Sequence, residues 1–398
     1  MRLRAALTFA ALALAVSSSP AAAQLQLPDD DPFYAQPAVK QLETVAPGTV
    51  LRSRPVTISG LGAPLPYDAW QVFFRSNDAK DTPIGAVATV IVPRTPYAGG
   101  QRPLVSYQMA IDSLGTQCNP SYEMQTGFEK EEASIVPLLQ AGVAVVVTDF
   151  EGPKMALADG PIAGRTTLDG IRAALNLAAD GLPRDTQIGL WGYSGGGQAT
   201  AWAAELQPAY APEVHLTGVA EGGVPADVEA AARQIDGGVM AGLLLAAAVG
   251  LPRQYPEIDV DHLFNEAGKQ LAQDIGTQCV ETLGFAYPFA HLSDYTTEAD
   301  PLSDPAVEKV LGNEHLGTAI PQAPLYVYHS VADELIPIAP TEALVAQYCA
   351  AGATVFFQKD AGGDHNAYAV TGAPAAIAYL QSRFAGAPAP DDCALYAR

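Results

Sequence analysis

The sequence predicts an α/β fold: a mostly parallel central sheet with helices on both faces and a helical insertion late in the chain. Three observations point to it. Short runs of strand composition alternate with segments of helical periodicity. The central run Val143–Thr148 is apolar almost throughout rather than alternating, as a strand covered on both faces must be. From about Gly222 to Gly312 the chain carries Gly, Pro and helical runs with no strand-like segment, which reads as a helical cap inserted over one edge of the sheet.

The N-terminus has Arg2 and Arg4, an apolar run from Ala5 to Val16 and small residues ending Ala21-Ala22-Ala23. This is the layout of a signal peptide over residues 1–23, with residues 24–398 as the exported mature domain. Leu25 to Pro37 is rich in Pro and Asp and reads as an extended arm. Strands are expected at Trp70–Phe74, Ile84–Val92 and Pro103–Gln108. A helix over Ser134–Ala141 then leads to the buried strand Val143–Thr148, and a helix over Leu168–Ala179 places Leu168, Ile171, Leu175 and Ala178 on one face. Further strands are expected at Thr186–Leu190, Leu216–Ala220, Leu325–His329 and Thr354–Gln358, with a helix over Gln198–Leu206. The uncharged run Gly237–Gly250 is too short to span a bilayer, which takes about 20 apolar residues, and reads as a cap helix.

Composition bounds the partners. A formal net charge of −22 makes nucleic acid a poor partner and disfavours docking to anionic lipid, so any transient contact with a lipid interface would be apolar. Losing Arg2 and Arg4 with the leader makes the mature chain more acidic still. The four cysteines, Cys118, Cys279, Cys349 and Cys393, lack C-x-x-C spacing, and in an oxidising compartment they predict two disulfides with three pairings open. No metal site, cofactor or stable protein partner is implied.

The most informative stretch is Trp191-Gly192-Tyr193-Ser194-Gly195-Gly196-Gly197, which has the form G-x-S-x-G between a strand and a helix. That is the nucleophile elbow of the α/β-hydrolase fold, in which Gly192 and Gly196 give the backbone room to turn sharply and lift Ser194 clear of the sheet. A serine hydroxyl is a weak nucleophile at neutral pH, so it needs a histidine to take its proton and a carboxylate to orient the ring. In this fold the order along the chain is serine, acid, histidine. Asp333 after the strand ending at His329, and His365 in the Gly-rich loop after the last strand, fit that order. Glu334, Asp360 and Asp364 compete with Asp333 on position alone. The oxyanion of an acyl-transfer intermediate needs donors, here the backbone N–H of Gly195 and a second from Ala110-Ile111-Asp112-Ser113. An ionised Asp112 beside a developing negative charge would be unfavourable, so its carboxyl must be protonated or turned away. The apolar cap run Val239–Val249 suits either an acyl pocket or ordinary cap core.

Several stretches resemble the secretory lipase family of α/β-hydrolases: Asp31-Pro32-Phe33-Tyr34, Val105-Ser106-Tyr107-Gln108, Asp149-Phe150-Glu151-Gly152-Pro153, Leu168-Asp169-Gly170-Ile171-Arg172, the elbow, and Gly222-Gly223-Val224-Pro225 opening the cap. The resemblance implies a secreted serine ester hydrolase acting on acylglycerols or related lipid esters. It implies Ser194 as nucleophile, Asp333 as acid, His365 as base, and Asp112 with Gly195 as the oxyanion pair. It also implies the disulfides Cys118–Cys279 and Cys349–Cys393. The short stretch after His365 departs from the family pattern, in which a longer tail forms a flap over the acyl tunnel. A short-chain carboxylesterase, a peptidase, an acyltransferase and a catalytically silent binding protein stay open on this reading.

Overall fold

The computed structural model describes residues 25–179, 181–361 and 363–396, so the expected signal peptide lies outside the described residues. Its strands are β1 (Val50–Val56), β2 (Tyr67–Asn77), β3 (Pro83–Pro93), β4 (Leu104–Gln108), β5 (Ala144–Thr148), β6 (Ile188–Tyr193), β7 (Leu216–Gly222), β8 (Leu325–Ser330) and β9 (Val355–Asp360). They form one sheet in the order β1-β2-β3-β5-β4-β6-β7-β8-β9. β1, β2 and β3 pair antiparallel, β3 meets β5 antiparallel, and every pairing from β5 to β9 is parallel.

The pleat explains the apolar central run. Val143, Val145 and Val147 face a core shared with helices Glu132–Gln140 and His365–Phe384. Ala144 and Val146 face the opposite core, built with helices Gly160–Asn176, Gly195–Tyr210 and Ile338–Ala350. With helices on both faces, neither side of β5 meets water.

Three expectations shift. The helix expected from Leu168 begins at Gly160, where the Asp159 side chain caps it by accepting from Ile162 N–H at 3.0 Å. Its glycines admit a close neighbour: a β-carbon on Gly160 would stand 1.9 Å from Trp202 Nε1. Strand β1 has no counterpart in the sequence reading, because it is an edge strand whose residues alternate between half-buried and exposed and which carries Arg52, Arg54 and Pro55. The arm is not simply extended. It turns twice and is pinned by an Asp31–Arg54 ion pair at 2.6 Å, with the Arg54 guanidinium 4.2 Å from the Phe33 ring centroid.

Between β7 and β8 the chain forms the helices Val228–Ile235, Gly242–Gly250, Glu266–Ile275, Val280–Ala286 and Pro305–Leu311. They enclose an apolar core of their own that includes Leu244, Leu245, Ile275 and Leu283. The Gly237–Gly250 run supplies one of these helices, and none of the helices among the described residues is long and apolar enough to cross a membrane. Two disulfides close the structure. Cys118–Cys279 ties the segment after β4 to the helical insertion, and Cys349–Cys393 ties the last turn to helix Ile338–Ala350.

Candidate active site

β6 ends at Tyr193 and the next helix begins at Gly195, so the whole change of direction falls on Ser194, at φ 58° and ψ −125°. A non-glycine residue rarely holds such a conformation, and here the surroundings enforce it. Ser194 N–H donates to Gly222 O at 2.9 Å across to β7. The flanking glycines are required by close approach: a β-carbon on Gly192 would lie 2.2 Å from Gly196 O, and one on Gly196 would lie 1.9 Å from Gln108 O.

His365 opens the helix that follows β9 and is buried at its N-terminus. Asp364 caps that helix, and Glu334 Oε2 accepts the His365 main-chain N–H at 2.9 Å. The Tyr193 hydroxyl donates to His365 O at 2.9 Å, with the two ring centroids 5.0 Å apart. Held in this way, His365 Nε2 stands 2.8 Å from Ser194 Oγ and Nδ1 stands 2.7 Å from Asp333 Oδ2. Asp333 Oδ1 accepts the N–H groups of Leu335 at 3.0 Å and Ile336 at 2.8 Å. Burial pushes the Asp333 carboxyl up, but hydrogen bonds from His329, His365 and Ile336 outweigh it and hold the group well below the usual carboxylate range. Of the acids that competed with Asp333, Glu334 meets the main chain of His365 rather than its ring, and Asp364 caps the helix.

Asp112, at φ 45°, directs its carboxyl at the elbow rather than away from it, and a β-carbon on Gly195 would meet Asp112 Oδ1 at 2.1 Å. Burial raises its carboxyl above the usual range, with Lys130 and His365 pulling the other way. The next main-chain N–H, of Ser113, donates to Glu151 Oε1 at 3.4 Å, and Glu151 is a fully buried acid raised well above its ordinary value by desolvation and by Asp112. Glu131 steadies the same loop, accepting from Ala110 N–H at 2.9 Å and from the Tyr107 hydroxyl at 2.7 Å. Burial pushes Glu131 up to about 7.

Two spaces meet at Ser194. A cleft of about 840 Å³ is lined by Tyr107, Trp191, His365, Met240, Phe285 and Val370, with a Lys130–Glu281 ion pair at 3.2 Å on its polar side. The other space, about 100 Å³, lies among Leu157, Val228, Ala232, Leu244 and Ala247. It shares Val228, Ala232, Leu244 and Ala247 with a further apolar cavity of about 60 Å³ inside the helical insertion. Part of the Val239–Val249 run thus lines a cavity. Gly242 does not: it packs against Leu283 O, where a β-carbon would stand at 1.9 Å. A separate cleft of about 540 Å³ under the arm is lined by none of Ser194, His365 or Asp333. Among the described residues, Glu123, Cys279 and Glu281 bring metal-ligand atom types together, but the Cys279 sulfur is committed to its disulfide.

Residues 120–392 match the family model described as Secretory lipase. The chain belongs to the secretory lipase family. A Mycobacterium tuberculosis protein described as a "probable inactive lipase" is 37% identical over 92% of this chain and 84% of its own length. Lipase A of Arthroderma benhamiae is 33% identical over 92% of this chain and 81% of its own. The X-ray structure of Candida antarctica lipase A in its closed state superimposes with a TM-score of 0.85 at 29% identity, covering 92% of this chain and 88% of that one. The fold of this chain is accordingly the α/β-hydrolase fold expected from the elbow.

The sequence reading missed Glu131, Glu151 and His329. Glu131 sits in Glu129-Lys130-Glu131-Glu132, a charge run that reads as a solvated face, and Glu151 follows an aromatic in a loop. Neither carries a local signal for burial.

Proposed function

We propose that this secretory lipase is a secreted serine carboxylic-ester hydrolase acting on acylglycerols or related lipid esters through an acyl-enzyme. The 2.8 Å contact between Ser194 Oγ and His365 Nε2, with Asp333 Oδ2 2.7 Å behind the ring, carries this reading. His365 takes the serine proton as Oγ attacks the ester carbonyl, and Asp333 stabilises the imidazolium that forms. The Gly195 N–H and Asp112 donate to the oxyanion, Asp112 through its carboxyl in the protonated form. Collapse of the tetrahedral intermediate breaks the carbon–alkoxide bond as His365 protonates the leaving alcohol. Water then repeats the sequence on the acyl-enzyme and releases the acid.

The apolar cavity running from Ser194 past Leu244 and Ala247 suits the acyl chain, and the wider cleft suits the alcohol. Phe285 and Val370 line that cleft yet are 60% and 73% exposed, an apolar rim fit for transient contact with an uncharged lipid surface. The small volume of the acyl side, about 100 Å³ and about 60 Å³, favours a second reading as an esterase for shorter acyl chains. The Ala-rich leader and the disulfides support export.

A p-nitrophenyl ester series from acetate to palmitate, with wild type and Ser194→Ala and with fluorophosphonate labelling, tests the proposal. Labelling of wild type alone, and loss of roughly 10⁴-fold or more in kcat/KM in the variant, is expected. Unlabelled, inactive wild type would make the chain a silent relative, and activity surviving Ser194→Ala would overturn the nucleophile.

A further inference from the structure

His329 is the penultimate residue of β8, four positions before Asp333, and its side chain is fully buried. Its Nε2 lies 3.0 Å from Ile336 O and 3.4 Å from Asp333 Oδ2. A carbonyl oxygen only accepts, and so does an ionised carboxylate, so Nε2 must carry the proton. His329 Nδ1 has no hydrogen-bond partner among the described residues. A second proton there would be an orphaned donor in the interior, so the ring is neutral with its single N–H directed at the loop that bears the acid.

We propose that His329 is a positioning residue of the catalytic machinery, its Nε2–H shared between Ile336 O and Asp333 Oδ2 so that the carboxylate is held between two imidazoles. The proposal rests on the reading of Ser194, His365 and Asp333 as a triad. The geometry divides the work between the two carboxylate oxygens. Oδ1 receives two main-chain N–H groups, from Leu335 and Ile336. Oδ2 receives His365 Nδ1 on one side, at 2.7 Å, and the longer contact from His329 on the other. With donors around both oxygens the carboxylate cannot rotate without losing one of them. The shared N–H also fixes Ile336 O, and so the backbone that supplies one of the Oδ1 donors. The other titratable groups facing this loop are Glu334, whose carboxylate takes the His365 main-chain N–H, and Tyr193, whose hydroxyl donates to His365 O. Neither hydroxyl nor carboxylate there replaces an N–H at Oδ2.

Removing that donor has a direction. With its charge less dispersed, Asp333 attracts the His365 Nδ1 proton more strongly and favours the imidazolium. The acid limb of kcat/KM, which reports protonation of the free base, then moves to higher pH. The test compares wild type, His329→Phe, His329→Asn and His329→Gln on a soluble short-chain ester across pH, together with the low-field proton resonance of the Asp333–His365 hydrogen bond. The expected result for His329→Phe is an acid limb raised by roughly half a pH unit or more, a lowered kcat at nearly constant KM, and a displaced low-field resonance. Gln, whose amide N–H can reach Asp333, should restore the limb and the resonance, whereas the shorter Asn should not. If His329→Phe fails to fold, the contrast between Gln and Asn decides. A limb and a resonance that stay at their wild-type positions in every variant, even with a lowered Tm, would reduce His329 to core packing and overturn the proposal. Full activity of Ser194→Ala would instead sink the triad reading itself, independently of His329.

Discussion

The Asp112 carboxyl is packed against the backbone of Gly195, so closely that a β-carbon on the glycine would stand 2.1 Å from Asp112 Oδ1. Asp112 faces the elbow through its side chain, and burial raises that carboxyl above the usual carboxylate range. Only the protonated form can donate to an oxyanion. Asp112→Asn, which keeps a donor of similar shape, should retain activity within about tenfold, whereas Asp112→Ala should lose roughly 10²- to 10³-fold in kcat. The sign with pH follows: wild-type kcat should fall as pH rises and Asp112 loses its proton, and Asp112→Asn should lack that fall. Steady-state kinetics from acid to alkaline pH check both outcomes. Equal losses for Asn and Ala would show that the carboxyl is not a donor.

Ala247 lines both apolar cavities beyond Ser194 and stands where one leads into the other. Ala247→Phe fills that junction. Burial of each CH₂ contributes about 0.8 kcal/mol, so excluding four or more methylenes from the inner cavity should lower kcat/KM for palmitate by more than about tenfold relative to acetate. Competition between long and short p-nitrophenyl esters measures the ratio directly. A uniform loss across chain lengths would show that the cavities do not take the acyl chain.

Glu221 lies in β7 with both carboxylate oxygens buried and without a hydrogen-bond partner among the described residues. Desolvation, with Glu205 nearby, raises it from 4.5 to about 8. The folded chain therefore keeps a proton that the unfolded chain has already released. Its contribution to stability is fully present below about 4.5 and is lost as pH rises through about 8. Glu221→Gln stays neutral throughout, so its Tm should exceed that of wild type by several degrees near pH 9, with the difference shrinking toward pH 5. Thermal melts at the two pH values give the comparison, and parallel Tm curves would refute it.

What was legible in the sequence divides by how local its cause is. Ser194 declared itself because an elbow needs glycines at fixed offsets within five residues, and His365 because a Gly-rich loop follows a readable strand. The buried strands were legible because apolar runs report burial on both faces. The edge strand β1 was not, since half-exposed Arg52 and Arg54 remove the apolar pattern that marks its neighbours. The orientation of Asp112 was illegible for a different reason: its loop meets Glu151, on a loop after another strand, through Ser113 N–H, and no local pattern records that meeting. His329 marks only the end of a strand in the sequence, and its contact with Asp333 exists only because the loop folds back so that Ile336 O reaches the ring.

The Cys118–Cys279 bond fastens the helical roof over Ser194 to the segment that follows Asp112, in addition to the two places where the chain of that roof joins the sheet. A roof held at three points cannot swing aside as a hinged door. Under the proposed function, admission of a bulky ester must come from flexing between the anchors, and a thiol reductant should act on this protein as a change of gating before it acts as a denaturant.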